Sequence, residues 1–471
     1  MIAIETLTIA ALSTPPGAGG IAIIRLSGVQ AHAIVSRIFR VWPSKVDFFH
    51  LYLGFVYDPA SQRDLDQVLL TLMPAGRSYT GEDMAEIHCH GGIYISKKIL
   101  SLLFKLGAQP APPGEFTKRA YLNGRFDLTQ AEAVSALISA ESEAGLAAAT
   151  AQLAGGLAQN IRAMLEQVNR ILAALEVEID LLAEEGLNYA QPGWTASLSR
   201  INHACRGLLD SYRRGRILCN GIKVVLAGRP NVGKSSIMNA LLAEERALVS
   251  AVSGTTRDVV SAALEIGGIK VELSDTAGLL DKVLPDNPQA ELEALGMART
   301  EAWLEQASLI LLVLDQSRDL TDFEVELYQR IRQKPHLLLL NKQDKKPAFT
   351  IAELRDRLVY EGPVSGCIGV RGKINIDAVV AGIEEFIKST TAADTETAVM
   401  VIHQRHYDLL CAAAAGLTQT LDLAAGGAPP LDMLADELHQ VRLRLLEIIG
   451  EDTSAADSLL DVVFSQFCVG K

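Results

Sequence analysis

Gly228-Arg229-Pro230-Asn231-Val232-Gly233-Lys234-Ser235 follows directly on the apolar run Ile222 to Ala227. The pattern is G-x-x-x-x-G-K-S behind a strand-like segment, and it decides how the middle of this 471-residue chain folds. The strand delivers the chain, the glycines let backbone N–H groups turn inward onto phosphate oxygens, and a helix beginning near Ser235 adds its positive dipole end. In such a loop Lys234 reaches the β- and γ-phosphates and Ser235 the Mg²⁺, with Asn231, Val232, Gly233 and Ser236 completing the phosphate-facing stretch. Alone, the octet fits ATPases and kinases equally well, so the later segments carry the decision.

About twenty residues on, Gly254-Thr255-Thr256-Arg257-Asp258 offers a loop whose Thr256 hydroxyl closes onto Mg²⁺ and the γ-phosphate, preceded by Ser250, Ala251, Val252 and Ser253. This fits a switch I segment. Val271 to Ser274 leads into Asp275-Thr276-Ala277-Gly278, where the Asp serves the Mg²⁺ shell and the Gly amide senses the γ-phosphate. Asn341-Lys342-Gln343-Asp344 follows the apolar run Leu337 to Leu340. N-K-x-D suits guanine, because a carboxylate accepts from N1–H and the exocyclic amine together, and adenine has no such donor pair. Any one motif could be a Gly-rich turn or a solvated loop, but four in order behind strand-like runs predict a Ras-like P-loop domain that binds GTP.

Composition bounds the rest. A chain this long exceeds one core, so two to four domains are expected. With 49% apolar and 21% charged residues it is globular, and its net charge of −13 excludes a protein that grips nucleic acid everywhere. Any RNA contact must be local or shared. Cys89, Cys205, Cys219, Cys367, Cys411 and Cys468 show no C-x-x-C spacing, which suits a reducing compartment and gives no zinc framework. No apolar run approaches the roughly 18 residues that span a bilayer, and Met1-Ile2-Ala3-Ile4-Glu5 lacks a basic start, so a cytoplasmic protein with no membrane partner is expected.

Residues 1–124 carry β-branched runs broken by Gly and Pro, with a helix expected from Tyr94 to Leu106. His88-Cys89-His90 resembles a metal cluster only superficially, because strand alternation puts the two histidines on one face and Cys89 on the other. From Thr129 to about Tyr212 the Ala/Leu/Glu/Gln pattern has helical spacing, with breaks at Gly155-Gly156 and Gln191-Pro192-Gly193. The Ala-rich run Ala144 to Ala154 reads as close helix packing. Ser389-Thr390-Thr391-Ala392-Ala393-Asp394 reads as a linker after the nucleotide domain, and further helices follow. Neither helical flank alone is large enough to bury a core, so residues 218–388 are expected as an α/β insertion into one all-α domain made of 125–217 and 389–471, beside an N-terminal α+β domain.

These residues resemble one family along nearly the whole chain, the MnmE-type tRNA-modifying GTPases. The likeness rests on Thr14-Pro15-Pro16-Gly17-Ala18-Gly19-Gly20-Ile21, Ser78-Tyr79-Thr80-Gly81-Glu82-Asp83, Pro113-Gly114-Glu115-Phe116, the stretch 116–134, the nucleotide motifs, and Phe467-Cys468-Val469-Gly470-Lys471. It implies a homodimer joined through the N-terminal domains, and a larger complex, such as a heterotetramer, with an FAD- and NADH-dependent MnmG-type partner. Together these place a carboxymethylaminomethyl or aminomethyl group on C5 of wobble uridine 34 of certain tRNAs. The one-carbon unit comes from 5,10-methylenetetrahydrofolate, for which 5-formyltetrahydrofolate is an analogue, and by position Arg25, Glu86, Arg125 and Lys471 match the folate contacts. A carboxylate pairs the pterin donors while cations meet the glutamate tail.

The resemblance further implies that Asn231, Ser250, Val252 and Thr255 surround a K⁺ that stands where an arginine finger's charge would sit, and that Ser235 and Thr256 hold Mg²⁺. Glu293 matches the residue that orients the attacking water, and Cys468 is either a small hydrophobe on a docked tail or a thiol that takes part in bond making. Three features depart from the family pattern: Gly369-Val370 where a Ser-Ala pair is expected, a long segment after Gly278, and Leu280 at a position where some relatives have Arg. A GTP-dependent switch or ribosome-assembly factor without folate chemistry, and a nucleotide-binding scaffold without turnover, are the alternative readings.

Overall fold

The computed structural model describes residues 7–185, 194–243, 261–275, 302–362, 364–366, 368–370, 373–391, 399–425, 431–451, 457–465 and 467–470. They form two compact units, one of Met1–Ile138, Gln152–Arg206 and Asp408–Lys471, the other of Ser139–Ala151 and Gly207–Tyr407.

The first unit contains a seven-stranded sheet of β1 (Ile9–Leu12), β2 (Ile21–Ser27), β3 (Phe39–Arg40), β4 (Tyr52–Asp58), β5 (Arg63–Met73), β6 (Met84–His90) and β7 (Gln109–Pro110), in the order β3-β4-β5-β6-β2-β1-β7. Strand alternation sorts the residues by face. Ala22, Ile24 and Leu26 of β2 and Ala85, Ile87 and Cys89 of β6 are buried in the core, which leaves Arg25, Glu86 and His88 on the opposite face. Cys89 therefore separates from the two histidines, and among the described residues no group of His, Cys, Asp and Glu has the arrangement to hold a metal ion. Helices Ala31–Ser36 and Ile93–Lys105 cover the apolar face through Ile34, Val35, Ile99 and Leu103. Each fully buried Leu or Ile contributes about 1.5–3 kcal/mol. The second helix starts one residue earlier than the periodicity predicts, at Ile93, capped by the extended Gly92.

The same unit holds helices Glu115–Leu122, Leu128–Ile138, Gly156–Glu185 and Leu431–Ile449. The last two pack on each other with Leu157, Ile161, Leu165, Val168, Leu172 and Leu175 inward at helical spacing. The expected break falls at Gly155, whose φ of 86° suits a glycine, and Gln191-Pro192-Gly193 lies outside the described residues. Helix Asp457–Ser465 seats Phe464 on Leu128 and Ala131.

The second unit is a doubly covered α/β sheet of β8 (Ile222–Ala227), β9 (Ser261–Ile266), β10 (Ile269–Asp275), β11 (Leu309–Asp315), β12 (His336–Asn341) and β13 (Val364–Gly366), ordered β13-β12-β11-β8-β10-β9. Only β9 runs antiparallel to its neighbour. Central strands buried on both faces are continuously apolar, and β11 is buried throughout its seven residues. Helices Lys234–Ala243 and Asp377–Thr391 cover one face; Asp322–Ile331 and Ile351–Leu358 cover the other. The Ser389 to Asp394 linker is corrected in part: Ser389, Thr390 and Thr391 continue the helix. Their hydroxyls donate to the Phe386 and Ile387 carbonyls one turn back, which lets polar residues stay helical. Residues 392–394 lie outside the described residues.

Candidate functional site

Strands β8 and β11 lie side by side and parallel, and the loop Gly228–Gly233 leaves the carboxyl end of β8 where α/β sheets gather ligands. The loop needs unusual backbone at three points: Gly228, Asn231 and Gly233 have φ of 145°, 65° and 103°. A Cβ on Gly228 would lie 2.4 Å from the Val313 carbonyl oxygen, and one on Gly233 would lie 2.1 Å from Asn341 Nδ2. Both glycines are thus required by neighbours as well as by conformation. Helix Lys234–Ala243 begins at once, and the buried Lys234 Nζ donates to the Gly228 and Arg229 carbonyls at 2.8 Å each.

The N-K-x-D motif at Asn341 is tied to this loop. Asn341 Nδ2 donates to the Val232 carbonyl at 2.7 Å, and Lys342 Nζ donates to the Asn231 carbonyl at 2.8 Å. Lys342 also meets Asp315 Oδ2 at 2.6 Å. Burial works against the charged form of Asp315, but hydrogen bonds from Lys342 and Ser317 overcome it and hold the carboxyl below its usual range. Sequence reasoning missed Asp315, although its place at the carboxyl end of a fully apolar strand was a usable signal. Asp344 is exposed three residues past Asn341. Asp275 ends β10 in register with Leu226 of β8, which sets its backbone beside the strand that feeds the loop. Gly369-Val370 belongs to a short hairpin with Lys373–Asn375. Ser250, Ala251, Val252, Ser253, Gly254, Thr255, Thr256, Thr276, Ala277, Gly278, Leu280 and Glu293 lie outside the described residues.

A second cluster forms on the first unit's sheet. The β2–β6 register places Arg25 opposite Glu86, and Arg25 Nη2 and Nε lie 2.8 and 2.9 Å from Glu86 Oε1. Both side chains are 15% exposed. The rings of Tyr79 and Phe116 stand 5.5 and 5.7 Å from the Arg25 guanidinium, and His88 Nε2 lies 3.5 Å from Glu86 Oε2. Tyr79 shares a hydrogen bond with Thr117, and burial pushes its phenol up. The docked C-terminal helix delivers the tail here: the Gly470 carbonyl accepts from Ser13 Oγ at 3.1 Å and lies 3.5 Å from Arg25 Nη1. Lys471 lies outside the described residues, and Cys468 is exposed. Arg125 instead donates to the Gly76 carbonyl at 3.2 Å, on the loop between β5 and β6. The structure thus joins Arg25, Glu86 and the tail, and gives Arg125 a different partner.

A mostly parallel sheet covered on both faces, a glycine-shaped loop at its carboxyl end and a lysine seated on that loop define a P-loop nucleotide-binding protein. A family model described as "GTP-binding protein TrmE N-terminus" matches residues 8–125, and one described as "MnmE helical domain" matches residues 128–468. The chain is 40% identical over 472 residues to the tRNA modification GTPase MnmE of Moorella thermoacetica, covering 98% of this chain and 99% of the relative. It is 39% identical to the protein of that name from Carboxydothermus hydrogenoformans and 38% identical to that of Lactobacillus delbrueckii, covering 98% of this chain and 99% and 98% of those relatives. The chain belongs to the MnmE (TrmE) family. No helix among the described residues is long and apolar enough to cross a membrane.

Proposed function

We propose that the protein hydrolyses GTP to GDP and phosphate and, with an FAD/NADH-dependent MnmG-type partner, serves the modification of wobble uridine 34 of tRNA at C5. The observation that carries the nucleotide reading is the pair of hydrogen bonds from Asn341 and Lys342 to the loop carbonyls of Val232 and Asn231, which hold an N-K-x-D motif against a phosphate loop. In this reading Lys234, with the backbone N–H groups of residues 231–236, receives the phosphates, and Asp344 accepts from guanine.

The donor set fits Mg²⁺ and K⁺. Ser235 offers a hydroxyl at the helix start, where Thr256 would join it around Mg²⁺, and Asn231 presents an exposed amide from a left-handed backbone. Ser250, Val252 and Thr255 would complete an oxygen-lined K⁺ site. A cation there supplies charge stabilisation that an arginine finger would otherwise give. Glu293 would orient the attacking water through a bridging water, and pairing of two such domains would hold the K⁺ loop.

On the sheet of the first unit, Arg25 and Glu86 side by side, with two aromatic rings beside them, suit a flat donor-bearing heterocycle with an anionic tail. A tetrahydrofolate carrying a one-carbon unit has that chemistry. Arg25, Glu86, Arg125 and Lys471 would hold it, and two N-terminal domains would meet there in a homodimer. For this division of labour we propose domain limits of 1–124, 125–217, 218–388 and 389–471.

The test is GTP turnover in KCl and NaCl at matched ionic strength. Turnover is expected to be much faster in KCl, and to be lost in Asn231→Ala and Glu293→Ala with nucleotide binding retained; equal rates in both salts refute the potassium mechanism. Asp344→Asn is expected to shift preference toward xanthosine triphosphate, and unchanged GTP preference removes Asp344 from the base site.

A further inference from the structure

Among the described residues, two helices begin with the same device. Thr350 and Glu353 open helix Ile351–Leu358, and Thr321 and Glu324 open helix Asp322–Ile331, each pair with its glutamate at the third helical position reaching back to the threonine. The first pair is exposed, as capping boxes usually are. Glu324 is different, because only 9% of its side chain is exposed. One carboxylate oxygen, Oε2, satisfies the cap by accepting from the Thr321 N–H at 2.9 Å and from the Thr321 hydroxyl. The other, Oε1, faces Arg229 Nη1 at 3.6 Å. Capping alone does not explain a buried carboxylate, since the Glu353 box works in solvent; burial of charge without a partner is costly.

Arg229 lies inside the phosphate loop. Its backbone carbonyl, with that of Gly228, accepts the two hydrogen bonds that seat Lys234 Nζ. Its side chain and Glu324 line one cleft with Pro230, Val232, Asp315 and Arg318. Arg318 is turned to Asp315, at 3.7 Å, and the cation that faces Glu324 is Arg229, at 3.6 Å. A residue held by its side chain from a rigid helix start cannot swing its carbonyl freely, and Pro230 next to it restricts the loop further.

We propose that Glu324 is a positioning residue for the nucleotide site: it anchors Arg229 and thereby fixes the carbonyl socket from which Lys234 meets the phosphates. This rests on the reading of the loop as a GTP site. Glu324→Gln keeps an oxygen for the cap and removes the charge that faces Arg229. Thr321→Ala does the reverse, since it removes the hydroxyl and leaves the carboxylate opposite Arg229.

The experiment uses the full chain and measures the affinity for fluorescently labelled GDP and GTP, GTP turnover and thermal unfolding. Glu324→Gln and Arg229→Ala are each expected to weaken nucleotide binding about three- to tenfold, with the double variant no weaker than either alone, because both remove one link. Thr321→Ala is expected to lower Tm by about 2–4 °C with wild-type nucleotide affinity. Wild-type affinity in Glu324→Gln, independent effects that multiply in the double variant, or an equal affinity loss in Thr321→Ala each overturns the proposal while leaving the GTP reading intact. A wild-type chain that binds no guanine nucleotide overturns both.

Discussion

The loop at Gly228–Lys234 and the Arg25–Glu86 pair both join residues distant in sequence, 109 positions apart for Val232 and Asn341 and 61 for Arg25 and Glu86, yet they are built from different material. In the loop the acceptors are backbone carbonyls, and glycine supplies the room. On the N-terminal sheet the partners are two side chains set opposite one another by strand register, half-roofed by aromatic rings. The first site is therefore vulnerable to an added carbon and the second to a lost charge.

The largest effect expected of any change to this contrast comes from Gly233→Ala. The new methyl would meet Asn341 Nδ2 at 2.1 Å, at a backbone φ of 103° that alanine adopts only with strain. The Asn341 to Val232 bond and the loop cannot both survive. GTP turnover should fall by about a hundredfold or more, since small misplacements of phosphate-binding groups carry costs of that order. Turnover within a few-fold of wild type would mean that the Asn341 link is dispensable.

Next is Glu86→Ala, which leaves the Arg25 guanidinium without its carboxylate in a site only 15% exposed. A loss of about 1–3 kcal/mol is expected in denaturant unfolding, together with loss of 5-formyltetrahydrofolate binding in titration and unchanged GTP turnover. Arg125→Ala removes only an exposed bond to the Gly76 carbonyl and should cost less than about 0.5 kcal/mol. Folate binding that survives Arg125→Ala while Glu86→Ala abolishes it would remove Arg125 from the proposed pocket and leave the Arg25–Glu86 pair to carry it. If Glu86→Ala binds as tightly as wild type, the pocket lies elsewhere.

The same contrast governs what the sequence made legible. The loop octet and N-K-x-D are contiguous, and local backbone demands write themselves into Gly, Lys, Asn and Asp at fixed spacing, so the strand, loop and helix could be placed within a residue. Asp315 went unnoticed because nothing local distinguishes an aspartate at the end of an apolar strand from any other; its meaning arises when β11 pairs with β12 and sets it beside Lys342. Arg25 and Glu86 were found only through family likeness, since register over 61 residues cannot be read from either strand alone. Tyr79 and Phe116 lie inside the 78–83 and 113–116 motifs, but their approach to Arg25 depends on that same pairing. The Ser389–Thr391 segment misled because Ser and Thr favour loops until their hydroxyls find a carbonyl one helical turn back.

Asp315 offers a smaller and pH-dependent test of how the loop and the N-K-x-D motif are coupled. Its folded carboxyl titrates below the unfolded value of about 3.9, so its stabilising contribution is fully present above that pH and is lost as the pH falls through the folded value. Asp315→Asn should cost about 1.5–3 kcal/mol at neutral pH, the scale of a hydrogen bond to a charged group. Below about pH 4 the difference from wild type should shrink. A difference that stays constant down to pH 3 in urea unfolding would show that the Lys342 link does not depend on the carboxylate charge.

The smallest structural effect is expected at the tail, where the two sites' contrast meets a third kind of residue. Cys468 is exposed, whereas burial pushes the Cys89 and Cys219 thiols up to about 11 and Cys205 up to about 12. Raised thiols stay protonated and unreactive until the pH nears those values. Iodoacetamide at pH 8 should therefore label Cys468 well before these three, as peptide mass analysis would show. Tail docking runs through Phe464 and Phe467, which pack with Leu128 and Ala131, so Cys468→Ser should change stability by less than about 0.5 kcal/mol and leave GTP turnover intact. Two residues further on, the Gly470 carbonyl sits against Ser13 and Arg25, which puts the thiol's segment beside the proposed folate site. Wobble-uridine modification reconstituted with the proposed MnmG-type partner should then fall in Cys468→Ser. Normal modification in that variant would assign the tail to packing alone, and the phenylalanines would carry its whole contribution.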